Sequence, residues 1–326
     1  MIPCTDRRRL LHSAAGFCAL VALPKIAGAQ SYPSRPVRVV VGQAAGSGSD
    51  VLGRLIAQRL SERLGQPFVV ENRPGAGGNI GAEAVVRAPP DGYTLLLITS
   101  TNSINTAFYE NSGFNFVRDI APVGSVTLTP YALVVNPSFS AGTVPAFIEY
   151  AKAHPGKVNV ASGGNGSVSH ASYELFKLMT GINVVHVPYR GSTPAHMDLI
   201  AGQVQAMFDA MTSSIEHIKS GKMRVLGVTS AIRSELLPDV PTIGDFVPDY
   251  EVNAWLGFGA PANTPADIIK MLNKEINAAL ADARIKSRLV ELGGAVLATS
   301  PAQFAKLVAD DADKWRKVVT VAGLRP

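Results

Sequence analysis

Residues 37–65 read VRVVVGQAAGSGSDVLGRLIAQRLSERLG and combine a strand, a loop and a helix. The run Val37–Val41 is rich in β-branched residues and is typical of a buried strand. Leucine and isoleucine recur at helical spacing over residues 50–64, which predicts an amphipathic helix that stops at Gly65. A loop of glycine, serine and alanine lies between strand and helix. This stretch therefore predicts the βα unit from which α/β folds are built.

Short β-rich runs alternate with helical patterns as far as residue 228. Further strands are predicted at 68–71, 94–98, 132–135, 157–161, 184–187, 206–209 and 224–228, and further helices at 82–88, 144–153 and 168–179. This alternation favours α/β layers with mostly parallel sheets. The last third of the chain is helical. Thr264-Pro265 and Ser300-Pro301 predict two helix starts there, each with a capping hydroxyl and proline at the first helical position.

The composition is that of a folded globular protein. Hydrophobic residues make up 47% of the 326 residues and charged residues 17%. The formal charge of +5 arises from 30 basic and 25 acidic residues, but four of the basic residues and one acidic residue lie within the first 29 positions. The rest of the chain is close to neutral. Its charge therefore gives no indication of nucleic-acid binding.

The first 29 residues have the organisation of a signal peptide. Arg7–Arg9 forms the positive region, Ala14–Leu23 is the apolar core, and Ala27-Gly28-Ala29 supplies the cleavage pattern. The apolar core is too short to span a bilayer. We therefore predict that residues 1–29 are removed and that the mature protein is periplasmic, exported by the Sec or the twin-arginine route. Both cysteines lie in the removed segment, so no disulfide and no cysteine nucleophile is expected.

Two loops of similar design each connect a predicted strand to the start of a helix. They are Ala45-Gly46-Ser47-Gly48-Ser49-Asp50 and Ser162-Gly163-Gly164-Asn165-Gly166-Ser167. A helix start carries unpaired N–H groups and a partial positive charge, so it favours an anion. In α/β folds ligands bind at the carboxyl ends of strands, where such loops lie. The two loops could hold one carboxylate or both ends of a dicarboxylate; alternatively, Ser49 and Ser167 merely cap their helices.

The order of these segments predicts two lobes. A chain that builds one α/β lobe, then another, then terminal helices commonly crosses back to its first lobe. We place the crossings near residues 129–131 and 250–253. Lobe I is then predicted to contain residues 30–130 and 252–326, and lobe II residues 131–251.

Seven short segments, taken in their order and spacing, resemble the Bug family, which are extracytoplasmic solute receptors of tripartite tricarboxylate transporters. The segments are Tyr32–Arg38, Gly46–Asp50, Glu71–Gly78, Pro90–Thr94, Val187–Gly191, Leu237–Thr242 and Ala260–Pro265. The resemblance implies an α/β, two-lobed type II periplasmic-binding-protein fold with a ligand cleft between the lobes. It further implies a monomeric receptor, not an enzyme, without a cofactor, which delivers a small carboxylate to cognate inner-membrane transporter subunits.

The same resemblance implies which residues bind the ligand. In the family the first strand–helix loop and the Gly/Ser loop of the second lobe hold the proximal carboxylate, and further polar residues border the cleft. In this chain they are Ser47, Gly48, Ser49, Asp50, Ser162, Asn165, Gly166, Ser167 and His170, with Ser100, Asn102 and the acidic residue Asp209 nearby. The chain departs from the family's Gly-Gly-Ser/Thr-x-Asp form, because Ser47 occupies the second glycine position and Gly48 the hydroxyl position. The hydroxyl is therefore displaced.

One further residue is proposed from its chemistry alone. Arg190 could bind an anion through its guanidinium fork, or it could be an ordinary surface arginine beside the turn at Pro188.

The sequence also bears on other functions. An exported hydrolase could use Ser167 with His170, but the chain lacks a G-x-S-x-G elbow. The glycines at 75–81 lack the spacing and the downstream acid of a dinucleotide loop. The histidines lack the spacing of a metal site, so no metal is expected. A receptor that signals through a membrane sensor remains open, as does the choice among di- and tricarboxylates, amino acids and aromatic acids.

Overall fold

A computed structural model describes residues 32–109, 113–321 and 323. The predicted signal peptide, residues 1–29, lies outside the described residues. The elements named below belong to the compact unit Arg35–Pro326. The strands are β1 Val37–Val41, β2 Phe68–Asn72, β3 Thr94–Thr99, β4 Ile120–Val135, β5 Asn159–Ser162, β6 Val185–Pro188, β7 Ala206–Ala210, β8 Arg224–Val228, β9 Asn253–Pro261 and β10 Ala295–Val296.

Helices connect and cover these strands. They are α1 Gly48–Leu64, α2 Asn79–Val86, α3 Ser100–Phe108, α4 Phe116–Asp119, α5 Val144–Ala153, α6 Val168–Thr180, α7 Ser192–Ile200, α8 Met211–Lys219, α9 Ala266–Ala281, α10 Ala283–Glu291 and α11 Pro301–Val321, with short 3₁₀ turns at Ala76–Gly78 and Ile243–Asp245. The bounds of β1, α5 and β8 are those predicted from the sequence. No helix in the described ranges is long and apolar enough to cross a membrane.

The strands follow one hydrogen-bonded path in the order β2-β1-β3-β9-β4-β7-β5-β6, and β8 and β10 also pair with β4. The expectation of mostly parallel sheets is wrong. Strands β1, β2 and β3 pair in parallel, as do β5, β6 and β7, but every pairing of β4 or β9 is antiparallel. The physical reason is that β4 and β9 are long strands that run back through the middle of the sheet.

Strand β4 changes partners part-way along its length. Residues 120–130 pair with β9, and residues 131–135 pair with β7 and β8. We call the strands joined to the first part the first region (β1, β2, β3, β9, β10) and those joined to the second part the second region (β5, β6, β7, β8). The change of partner falls beside the predicted crossing at 129–131; the lobe boundaries themselves stay a prediction.

Trp255 on β9 is a packing residue. Its ring is buried, meets Phe304 of α11 edge-on at 5.4 Å between centroids, and its Nε1 donates to Asp311 at 2.9 Å. Helix α11 starts as predicted, since Ser300 and Gln303 exchange capping hydrogen bonds. The start of α9 differs, because Pro265 is the N-cap and the Thr264 hydroxyl donates to the Pro261 carbonyl.

Candidate functional site

The loop after β1 is built around the start of α1. Ser47 is the N-cap, and its Oγ accepts a hydrogen bond from the Asp50 N–H at 3.2 Å. The capping residue is therefore Ser47 and not Ser49. Within the described part of the chain, no hydrogen bond uses the N–H of Gly48 or of Ser49. Two donors at a positive helix end thus remain for an anion.

Asp50 holds this loop in shape. Its buried carboxylate accepts hydrogen bonds from the Gly46 N–H (2.9 Å), Arg54 Nε (3.0 Å) and Asn72 Nδ2 (2.9 Å). Burial alone would raise the pKa of Asp50, but the hydrogen bonds from Arg54, Gly46 and Asn72 outweigh it and hold the pKa below its usual value. Because the carboxylate is already surrounded by donors from Gly46, Arg54 and Asn72, Asp50 supports the shape of the loop.

The loop after β5 repeats the arrangement at the start of α6. Ser167 is the N-cap; its Oγ accepts from the His170 N–H at 3.2 Å and donates to the Gly164 carbonyl at 2.7 Å. The N–H groups of Val168 and Ser169 form no hydrogen bond to any residue that the structure describes. Asn165 is exposed at the tip of the loop. The second loop therefore also presents a pair of unused donors.

Two stacked imidazoles support this second loop. The rings of His170 and His186 lie 4.2 Å apart and nearly parallel. His170 Nδ1 accepts from the Gly166 N–H at 3.1 Å, and His186 Nε2 lies 2.6 Å from the buried Ser162 Oγ. Burial, assisted by the charges of His186 and Lys177, lowers the pKa of His170 to about 3. Burial also lowers the pKa of His186 to about 4, against the opposing charge of Glu174. Both rings are therefore neutral at physiological pH and act as hydrogen-bonding supports, not as charged ligands.

This geometry does not assemble the Ser167–His170 dyad considered from the sequence. The Ser167 hydroxyl donates to a backbone carbonyl, and the ring nitrogen of His170 that forms a hydrogen bond accepts from the Gly166 N–H. A nucleophile needs a direct hydrogen bond to its base. The second loop therefore lacks the contact that a serine hydrolase requires.

Asn105 of α3 connects the two regions at this site. Its Nδ2 donates to the Gly77 carbonyl at 2.8 Å, and Gly77 adjoins Gly78, which packs against Gly42 at the end of β1. On its other side, a Cβ added at Gly166 would lie 2.7 Å from Asn105 Oδ1. This oxygen is buried and has no partner among the described residues. Asn105 was not predicted, because only the fold brings these glycines together around it.

Asp209, near the end of β7, organises two further helix starts, those of α7 and α8. Its buried carboxylate accepts from Ser192 Oγ (2.8 Å), His196 Nε2 (2.7 Å) and Ser213 Oγ (2.7 Å). Burial would lower the pKa of His196, but the hydrogen bond and the charge of Asp209 outweigh burial and raise it. Asp209 thereby ties the first turn of α7 to the first turn of α8.

Comparison with known proteins gives this geometry a context. The family model of the tripartite tricarboxylate transporter family receptor, TctC, matches residues 52–324. The chain belongs to this family. The BugT protein of Bordetella pertussis is 36% identical over 320 residues, which cover 97% of this chain and 98% of BugT. The resemblance to the Bug family is therefore confirmed.

Solved structures agree with this assignment. Rpa4515 of R. palustris, described with adipate, is 36% identical with a TM-score of 0.87, and the match covers 90% of this chain and 100% of that one. MatC (Rpa3494) from Rhodopseudomonas palustris, described with bound malate, is 33% identical with a TM-score of 0.84, covering 88% and 100%. The predicted periplasmic-binding-protein fold is confirmed, and the TctC-family chain is a solute-binding receptor and not an enzyme.

Three further predicted ligand residues of this TctC-family receptor are Ser100, Asn102 and Arg190. Ser100 Oγ is buried and accepts from the Trp255 N–H at 2.7 Å, and Asn102 Oδ1 accepts from the Thr99 N–H at 2.9 Å. Both side chains therefore stabilise the start of α3. Arg190 is exposed, and its guanidinium forms no hydrogen bond or ion pair to a described residue. A direct ligand contact stays a prediction for all three.

We expect Ser167→Ala to act on stability. The hydroxyl caps α6 and uses its proton on the Gly164 carbonyl, so its loss should lower the free energy of unfolding by about 1 kcal/mol. Urea unfolding of the variant measures this change. The dissociation constant for a carboxylate should change by less than about twofold, because a capping hydroxyl makes no hydrogen bond to the ligand. Loss of a hydrogen bond to the ligand would instead cost about 1 kcal/mol and raise the dissociation constant roughly fivefold. A fivefold weaker binding with unchanged stability would contradict the capping role.

Proposed function

We propose that this receptor binds a small carboxylate between the loops after β1 and β5, in the periplasm, and delivers it to the membrane subunits of a tripartite tricarboxylate transporter. One observation carries the proposal. Each loop keeps two adjacent N–H groups without a partner among the described residues, at Gly48–Ser49 and at Val168–Ser169. Both pairs lie at helix starts, where the backbone attracts negative charge.

The contacts between the loops support a single ligand site. Asn105 joins the turn at Gly77, which packs beside the first loop, to Gly166 of the second loop. Unused donors in both loops suit an acid with two carboxylates, and two relatives are described with the dicarboxylates adipate and malate. We therefore rank dicarboxylates before amino acids and aromatic acids as the ligand of this receptor.

The residues of the site have different roles in this proposal. The backbone of Gly48 and Ser49, with that of Val168 and Ser169, contacts the ligand. Six predicted residues hold those backbone groups in place: Ser47, Asp50, Ser162, Gly166, Ser167 and His170. Asp209 ties the first turns of α7 and α8 together, and Ser100 and Asn102 stabilise the start of α3. Asn165 and Arg190 are exposed and are candidates for contact at the rim.

Thermal unfolding of the chain from residue 30 tests the proposal. A ligand that binds only the folded state raises the Tm in proportion to the logarithm of its concentration above Kd. We expect adipate or malate to do so, and adipamide, which has the length of adipate without its charge, to have no effect. Native mass spectrometry of freshly purified protein identifies a retained acid. A flat Tm across dicarboxylates, tricarboxylates, amino acids and aromatic acids would contradict the proposal.

A further inference from the structure

Gly48 is a glycine because another residue fills the space of its side chain. A Cβ added at Gly48 would lie 2.6 Å from Thr212 Oγ1 and 3.3 Å from Thr212 Cβ. Gly48 is not among the residues with positive φ, so its backbone conformation is open to any residue. The requirement for glycine is therefore spatial. Thr212 lies in the first turn of α8, so the start of α8 in the second region meets the start of α1 in the first region.

Some hydroxyls at these two helix starts are already in use. Ser47 Oγ caps α1, and Ser213 Oγ donates to Asp209. The hydroxyls of Ser49 and Thr212 form no hydrogen bond with any residue in the described ranges. Thr212 is half-buried, and its Oγ1 lies against Gly48, whose N–H is also unused. An unused hydroxyl and two unused N–H groups thus lie next to one another.

We propose that Thr212 Oγ1 donates a hydrogen bond to the same carboxylate as the N–H groups of Gly48 and Ser49, in place of a hydroxyl on residue 48. The inference rests on the proposed function and adds to it a residue from the other region. The hydroxyl is supplied by α8, so the carboxylate itself links the starts of α1 and α8.

A pair of substitutions at residue 212 tests the donor. Thr212→Val keeps the shape of the side chain and removes the hydroxyl, and Thr212→Ser keeps the hydroxyl. By calorimetry with adipate and malate, we expect Thr212→Val to raise Kd by about five- to tenfold and Thr212→Ser to change it by less than about twofold. Equal affinities of Thr212→Val and the wild-type chain would overturn the inference. If the wild-type chain binds no carboxylate, the proposed function itself fails.

An exchange of side chains tests the contact between residues 48 and 212 through stability as well as through binding. Gly48→Ser places a Cβ against Thr212 Oγ1, so this variant should bind adipate or malate more than about tenfold more weakly and should unfold at lower urea. Adding Thr212→Gly removes the obstruction and leaves one hydroxyl, now on residue 48. With Thr212→Gly alone as the control, the double variant should recover affinity and stability beyond additivity. Additive effects in both measurements would overturn the inference.

Discussion

Asp209→Ala is expected to lower the free energy of unfolding by about 3–5 kcal/mol, because it leaves a buried histidine and two hydroxyls without their common acceptor. Asp209 is 1% exposed. Its carboxylate accepts hydrogen bonds from Ser192 and His196 of α7 and from Ser213 of α8. The substitution should also affect ligand binding. The first turns of α7 and α8 would no longer be tied together, so binding of a dicarboxylate should weaken as well.

Urea unfolding of Asp209→Ala beside Asp239→Ala isolates the role of the network. Asp239 is exposed, and its carboxylate makes no hydrogen bond within the described residues, so its loss should change stability by less than about 0.5 kcal/mol. Asp209→Asn keeps the shape and part of the acceptor capacity and should fall between the two. An Asp209→Ala variant as stable as Asp239→Ala would show that the network contributes nothing.

The same network should make stability depend on pH. The pKa of His196 is raised in the folded state by Asp209, so protonated His196 is favoured by folding. Its contribution is fully present below the unfolded pKa, about 6.5, and is lost as pH rises through the higher folded value. The difference in unfolding free energy between the wild-type chain and Asp209→Ala should therefore shrink above pH 7. A difference that grows with pH would contradict this assignment.

Gly166→Ala is expected to disrupt the site most directly. Gly166 has a φ of +72°, which costs a residue with a Cβ about 1–2 kcal/mol. The added Cβ would also lie 2.7 Å from Asn105 Oδ1 and 3.0 Å from Phe108 Cδ1. Because the loop must shift to relieve these contacts, the N–H groups of the following residues move with it. We expect Kd for a dicarboxylate to rise more than about tenfold.

Gly181→Ala provides a matched control. Gly181 has nearly the same φ, +69°, but no atom lies within 4 Å of an added Cβ. It ends the same helix, α6, at the opposite terminus. This variant should therefore lose only the stability that a positive φ costs an alanine, and its Kd for a dicarboxylate should be unchanged. If both alanine variants lose the same stability and bind equally well, the contact between Gly166 and Asn105 has no role.

The local elements of the fold follow from the sequence, and the central strand does not. Val37–Val41 and Val144–Ala153 were predicted with their observed bounds, because hydrophobic periodicity and capping residues depend on only a few neighbouring positions. In β4 only residues 132–135 were predicted. Its earlier part contains Pro122, Gly124 and Pro130, which argue against a strand. The register shifts beside Pro122 and Ser125 show how β4 accommodates these residues while pairing with β9.

A candidate site could be predicted from the sequence, but the separate roles of its residues could not. The two Gly/Ser loops indicate the helix starts, because turn geometry and capping by neighbouring residues favour glycine and hydroxyl residues there. Which N–H groups remain unused depends on which hydroxyl caps each helix, and Ser47 rather than Ser49 does so in α1. Asn105 and Thr212 contact glycines far away in the chain, and no local pattern indicates such contacts.

Both loops should hold one carboxylate ligand through their unused N–H groups. A crystal structure of the mature chain, grown with the dicarboxylate that raises the Tm most, tests this directly. We predict carboxylate oxygens within hydrogen-bonding distance of the N–H groups of Gly48 and Ser49, and of those of Val168 and Ser169, directly or through one ordered water. A bound acid that leaves either pair facing bulk water would contradict the account.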